Sequence, residues 1–221
     1  EERLIRETAA KHPHLATQTG NQGHASPRRR QIKELIMAGA IGPVREAHVW
    51  AGRAWGLQSA ASAEKYDKPH GFYNGIQITD RFKEVMPVPP NIDWDLWIGP
   101  APMRPFHSTY LPGPRWYRWW DFGNGTMSDL GGHDNDVVFQ VLDIQHPLTI
   151  EAVSPMGKAH PELAPATMTV TYEFPARGSY PPLKLVWYQG EDRPPQFDAS
   201  FMSSRSQLFI GDKGMLYTGG R

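Results

Sequence analysis

Beyond Pro147 the apolar residues fall into a two-residue repeat, and that repeat limits what the chain can fold into. Met168, Val170, Tyr172 and Phe174 alternate along the sequence, and so do Leu183, Leu185 and Trp187. Leu208-Phe209-Ile210 and Met215-Leu216-Tyr217 flank Gly211-Asp212-Lys213-Gly214, the spacing of a hairpin. Successive side chains on a strand point to opposite faces, so each of these strands has an apolar face that needs a cover. Several strands joined by short turns imply an open antiparallel or mixed sheet.

The covering helices come earlier. Ser26 as N-cap, Pro27 at the first helical position and Gly39 beyond the end bracket a helix with Ile32, Leu35 and Ile36 on its apolar face. Arg28, Arg29 and Arg30 crowd its first turn, where cations oppose the helix dipole. Either water solvates them or an anion lies near, a carboxylate or a cofactor phosphate. Ahead of this helix, Leu4, Ile5 and Thr8-Ala9 fall at helical spacing within Glu1 to Lys11, and His12-Pro13 stops them. Leu15 to Thr19 reads as a short strand, and Gly20-Asn21-Gln22-Gly23-His24 as a glycine-rich turn. Val44 to Ala51 alternates as a strand. This strand–turn–helix–strand run suits the last element of one α/β domain feeding a second.

From Gly52 to Pro114 the periodicity is lost, which marks a functional loop or one with short elements of its own. Asn91 to Ile98 is one such element, a short helix stopped by Gly99-Pro100. With 21 Pro, 21 Gly and eight Trp, much of the chain is turn and loop carrying large flat side chains. Such loops suit a carbohydrate or another planar ligand, and equally a loop-rich aromatic core.

The chemistry concentrates between Thr126 and Ile144. Leu130, Val137, Val141 and Ile144 form an apolar helical stripe, and Asp129, His133, Asp136, Gln140 and Asp143 a polar one. The plain reading is an amphipathic helix with a solvated face. Gly131 and Gly132 cost a helix about 1 kcal/mol each, so they point to the close approach of another chain or a ligand. A histidine flanked by carboxylates can exchange a proton near neutrality. His133 then serves as the base or acid of an alcohol oxidation, with Asp129 one turn earlier orienting it. Alternatively Asp129, His133 and Asp136 hold a divalent metal, but a further ligand is needed, and His24, His48, His107 and Asp121 all lack diagnostic spacing.

Composition narrows the partners. Lys plus Arg and Asp plus Glu number 23 each, so no global field draws nucleic acid or an anionic membrane. No stretch approaches the roughly 20 apolar residues of a membrane-spanning helix. Zero cysteines exclude disulfides, thiolate metal sites and cysteine nucleophiles, and leave the compartment open. Opening inside a helix without Met and closing on Gly219-Gly220-Arg221, the sequence reads as cut at both ends.

Five segments, in order, resemble the glucose–fructose oxidoreductase / inositol dehydrogenase / MocA (Gfo/Idh/MocA) family. Asp129, Gly131, His133 and Asp136 match its D-x-G-x-H-x-x-D pattern. Gln18 to His24 looks like the Q-x-G-N-Q-G-H turn of a bacterial subgroup, and Ala38 to Val44 like the family's helix-to-strand entry. Asp93 to Ala101 is similar to the subgroup's DWDLWLGPA run, and Trp119 to Gly123 to its WWDFG run.

The resemblance implies an α/β fold: residues 1–24 as the end of an NAD- or NADP-binding Rossmann domain, and 25–221 as a substrate-binding and oligomerisation domain. That second domain would be an open mixed sheet with helices on one face, forming a homodimer or tetramer through the sheet. A hydroxyl or ketone of a sugar or cyclitol is the implied substrate, with hydride exchanged with the nicotinamide. Carried over by position, His133 and Asp129 are the catalytic residues. Asn21, His24, Arg118, Trp119, Trp120 and Asp136 would bind substrate, with packing as the alternative for the tryptophans. Gln18, Asn21 and Gln22 would face the cofactor. The family's glycine fingerprint and E-K-P segment would lie upstream of Glu1, so the chain alone is expected neither to bind NAD(P) tightly nor to turn over. An export signal there would place the protein in the periplasm rather than the cytoplasm. Two other functions compete. A glycosidase of the same fold would regenerate its NAD in each cycle and so release no net NADH, and a non-catalytic scaffold would have no use for Asp129 and His133.

Overall fold

The computed structural model describes residues 2–18, 20–57, 80–111, 113–155 and 160–219. Its six strands are β1 (Val44–Ala51), β2 (Thr149–Val153), β3 (Met168–Phe174), β4 (Leu183–Gln189), β5 (Arg205–Gly211) and β6 (Gly214–Tyr217). They form one open sheet in the order β2-β3-β4-β1-β5-β6. Only β1 and β4 run parallel; the other pairings are antiparallel. The 3.3 Å rise and two-residue repeat of each strand therefore sort the side chains onto two faces.

Two helices cover one face. These are α2 (Pro27–Met37) and α4 (Gly132–Leu142), while α1 (Glu2–Ala10) and α3 (Trp94–Ile98) lie elsewhere. Ile32 and Ile36 of α2, with Val137, Val138 and Val141 of α4, pack against Ala47, Val49, Val170, Leu185, Trp187 and Phe209. Cross-strand neighbours interlock here: Val49 stands opposite Trp187, and Ala47 lies between Leu185 and Phe209. Burying a side chain of this size contributes about 1.5–3 kcal/mol, so this layer fixes where α4 sits. On the reverse face Trp50, Val186, Tyr188 and Leu208 are covered by Phe197 and Met202, while Val153 and Met215 stay exposed.

The long aperiodic stretch builds a core of its own. Trp94 and Ile98 of α3, Phe106, Tyr110, Trp119 and Leu163 cluster together, with Trp97 stacked on Trp94 at 4.8 Å between ring centroids. Asp93 caps α3 by accepting from the Leu96 amide at 3.1 Å, and Gly99 ends it at φ 60°. Within Gly52 to Pro114, residues 58–79 and 112 lie outside the described residues.

Three expectations need correction. Leu15 to Gln18 is exposed chain, because no strand among the described residues pairs with it; Thr19 lies outside the described residues. Leu35 is 47% exposed rather than part of the buried face of α2. Ser26 does precede Pro27, but its side chain makes no capping hydrogen bond. No helix among the described residues is long and apolar enough to cross a membrane.

Candidate active site

The site is built on the first turns of α4. Before Gly132 the helix is wound as one π-helical turn, Met127–Gly131. Such wide turns cost hydrogen-bond quality and recur where function needs a local distortion. Gly131 permits it, since a β-carbon there would lie 2.7 Å from the Met127 Cγ of the same turn. Leu130, Val137, Val141 and Ile144 point into the core, as their helical stripe predicts. The opposite side carries Asp129 and His133, one turn apart, with the His133 Nε2 3.5 Å from the Asp129 Oδ1. Each side chain is a little over one quarter exposed, which suits groups that meet a small molecule from one side. A β-carbon on Gly132, the exposed residue next to His133 in the chain, would meet nothing within 4 Å.

The glycine-rich turn docks onto this helix. Its 3-10 segment, Gln22–Ala25, follows Asn21, whose side-chain amide donates to the Gly132 carbonyl at 3.2 Å. The Asn21 Oδ1 stands 3.1 Å from the His133 Nδ1. Three residues on, the His24 Nδ1 lies 3.0 Å from both oxygens of Asp136. Arg29 of α2 pairs with the same carboxylate, and its Nη2 donates to the His133 carbonyl at 2.7 Å. The arginine run at the start of α2 thus meets an anion through Arg29, and that anion is a carboxylate of the motif itself. Gln18 and Gln22 are exposed on either side of Asn21.

Arg118 and Trp119 stand apart from that cluster. Trp119 is entirely buried, its ring 4.7 Å from Tyr110, and Arg118 is 1% exposed. Packing therefore accounts for Trp119, because a ring without solvent contact offers no face to a sugar. Trp120 is 42% exposed and donates from Nε1 to the His160 carbonyl at 3.0 Å. Among the described residues no three metal-binding side chains converge. Asp136 is taken by Arg29 and His24, Asp121 pairs with Arg104, and His48 is hydrogen-bonded to Tyr188 on the reverse face of the sheet.

One charged group of the motif went unremarked in the sequence. Asp134 is 5% exposed and receives the Arg205 Nε at 2.9 and 2.8 Å on its two oxygens. Burial pushes its carboxyl above the usual range, and Arg205 opposes that shift. The signal was available: Asp134 precedes Val137, Val138 and Val141 by three, four and seven positions, which is the buried face of α4.

A mixed sheet with helices on one face and a histidine–carboxylate pair at a helix start defines an α/β domain with a candidate acid–base site. Residues 67–201, more than half the chain, match the family described as the oxidoreductase family, C-terminal alpha/beta domain (GFO_IDH_MocA_C2). The chain belongs to the Gfo/Idh/MocA oxidoreductase family. No curated protein matches the sequence. Among solved structures, a super-repressor mutant of Gal80p from Saccharomyces cerevisiae is 15% identical with a TM-score of 0.49, over 96% of this chain and 44% of that one. An oxidoreductase from Thermotoga maritima is 14% identical with a TM-score of 0.40, over 88% of this chain and 40% of that one. The chain thus spans less than half the length of these structures.

Proposed function

We propose that this chain is the substrate-binding part of an NAD(P)-dependent oxidoreductase acting on a hydroxyl or ketone of a sugar or cyclitol. The observation that carries the reading is the placement of His133, which contacts Asn21, stands close to Asp129 and follows the exposed Gly132 in the chain. His133 takes the hydroxyl proton as the alcohol is oxidised, or returns it as the ketone is reduced. Asp129 stabilises the cationic ring that forms. When bound, the nicotinamide supplies the acceptor or donor of the hydride at the same carbon. The residues present fit one end of such a cofactor only. Asn21 contacts His133, and the exposed Gln18 and Gln22 flank it along the chain, so the three would line a flat ring, while the described residues offer no glycine-rich cradle for its pyrophosphate.

In this reading residues 1–24 complete a nucleotide-binding domain and 25–221 form the substrate domain. A small carbohydrate is the partner, and a second copy covers the open sheet face, giving a dimer or tetramer. Trp120, the exposed tryptophan of its run, remains the aromatic candidate for a sugar. Asp136 contributes by holding the site together, being occupied by Arg29 and His24.

The test uses the full-length protein with NAD or NADP and a panel of sugars and cyclitols, following absorbance of the reduced cofactor. A positioned base is worth about 10²–10⁴-fold. His133→Ala should lose that much in kcat with little change in cofactor affinity. Unchanged turnover in that variant would remove His133 from the chemistry and the proposal with it.

A further inference from the structure

The hydrogen bonds around Asn21 determine more than a contact. An amide has one acceptor oxygen and one donor nitrogen, and here each is committed. The Nδ2 of Asn21 donates to the Gly132 carbonyl, an acceptor that cannot return a proton. Its Oδ1 is thereby turned towards the His133 Nδ1, 3.1 Å away. A ring nitrogen facing a carbonyl oxygen at that distance must itself carry the hydrogen. The neutral imidazole then has a lone pair on Nε2, the nitrogen on the Asp129 side. At 3.5 Å the Nε2–Asp129 separation exceeds a normal N–H···O bond, so Asp129 does not itself hold a hydrogen on that nitrogen.

We propose that Asn21 is a positioning residue: it selects the Nδ1–H tautomer of His133 and so makes Nε2 the nitrogen that exchanges the proton. The choice of tautomer stands on the geometry, and its catalytic meaning rests on the oxidoreductase reading. When the substrate O–H breaks, its proton forms the new Nε2–H bond and its carbon yields the hydride to the nicotinamide. The resulting imidazolium lies between two acceptors, the Asn21 oxygen and the Asp129 carboxylate. A second latch keeps Asn21 in place. His24, on the same turn, meets Asp136, and Arg29 grips that carboxylate and the His133 carbonyl together. Gln140 adds a donation to the His24 carbonyl at 3.4 Å. The glycine-rich turn is thus fastened to α4 on both sides of the histidine.

The experiment is ¹⁵N–¹H correlation of the imidazole rings in the chain labelled at histidine, at a pH where the rings are neutral, with His133 assigned by loss of its signals in His133→Gln. The wild type should show the Nδ1–H pattern at His133. Asn21→Ala should convert it to an averaged or Nε2–H pattern. Asn21→Asp, which still offers an acceptor, should restore Nδ1–H, a rescue that simple packing would not produce. An Nε2–H pattern in the wild type overturns the proposal, as does an unchanged Nδ1–H pattern in Asn21→Ala. Because the signal needs neither substrate nor cofactor, its failure is separate from that of the functional reading, which His133→Ala turnover decides.

Discussion

Trp119 offers a direct way to separate ligand contact from packing. Its side chain has no solvent exposure and lies among Tyr110, Leu163, Trp94 and Phe106. Truncating a buried ring of this size to alanine costs about 3–5 kcal/mol, which is a fifth or more of a typical domain's total stability of about 5–15 kcal/mol. Phenylalanine should behave differently. The indole Nε1–H finds no acceptor among the described residues, and an unpaired buried donor costs about 1–3 kcal/mol. Trp119→Phe relieves that cost while leaving a void of about 40 Å3, worth about 1 kcal/mol at 24 cal/mol per Å3. The two effects offset to within about 2 kcal/mol. Urea titrations followed by far-ultraviolet circular dichroism measure both variants against the wild type. A loss below about 1 kcal/mol in Trp119→Ala, accompanied by weakened sugar binding, would refute the argument and return Trp119 to the ligand site.

Two further substitutions read other parts of the molecule. Gly132→Ala should stabilise α4 by roughly 1 kcal/mol, because the position is helical and a β-carbon there meets nothing within 4 Å. The same methyl is added next to His133 in the chain, so full-length turnover should fall as the thermal midpoint rises; a rise in both would place the substrate elsewhere. His48 gives a pH test on the reverse face of the sheet. Burial lowers its pKa below the ordinary 6.5, against the pull of Glu46. The charged form is thus the one disfavoured by folding, and the stability from neutral His48 is complete above that value. It is lost as the pH falls through the lowered one. The facing groups are Glu46, Lys184 and Tyr188, whose hydroxyl is itself pushed up to about 12, mainly by burial. Thermal midpoints measured downward from neutral pH should drop more steeply in the wild type than in His48→Gln, and parallel curves would count against His48.

What the sequence disclosed divides along one physical line. Val170, Tyr172, Leu185 and Trp187 announce their strands because alternation is a local property, and the hairpin at Gly211–Gly214 follows from turn chemistry. The Leu130–Ile144 stripe likewise fixes which side of α4 is buried. The aromatic core was hidden because Trp94, Trp119 and Leu163 are distant along the chain and share no period. Leu15 to Gln18 reads as a strand by composition, yet a strand exists only with a neighbour to accept its hydrogen bonds. Arg29 was legible as a misplaced cation on a helix dipole, but its partner Asp136 is set by how α2 packs on α4. At the site, then, Asp129 and His133 were visible through spacing and resemblance. The bonds that orient them were not, because they join elements more than a hundred positions apart.

That division bears on what the motif does. Its four matched positions have separate physical tasks in this fold. Gly131 lets the chain wind through the wide turn, and Asp129 and His133 face the open side together. Asp136, on the same polar stripe, is tied into the latch formed with Arg29 and His24. A carboxylate with two cationic or donating partners already in place gives up little to a neutral sugar hydroxyl, since the exchange would leave Arg29, only 13% exposed, without its anion. The spacing of the motif therefore reflects two demands placed on one helix. One is to present a base at its open side, and the other is to anchor the glycine-rich turn whose Asn21 determines which nitrogen of that base is free.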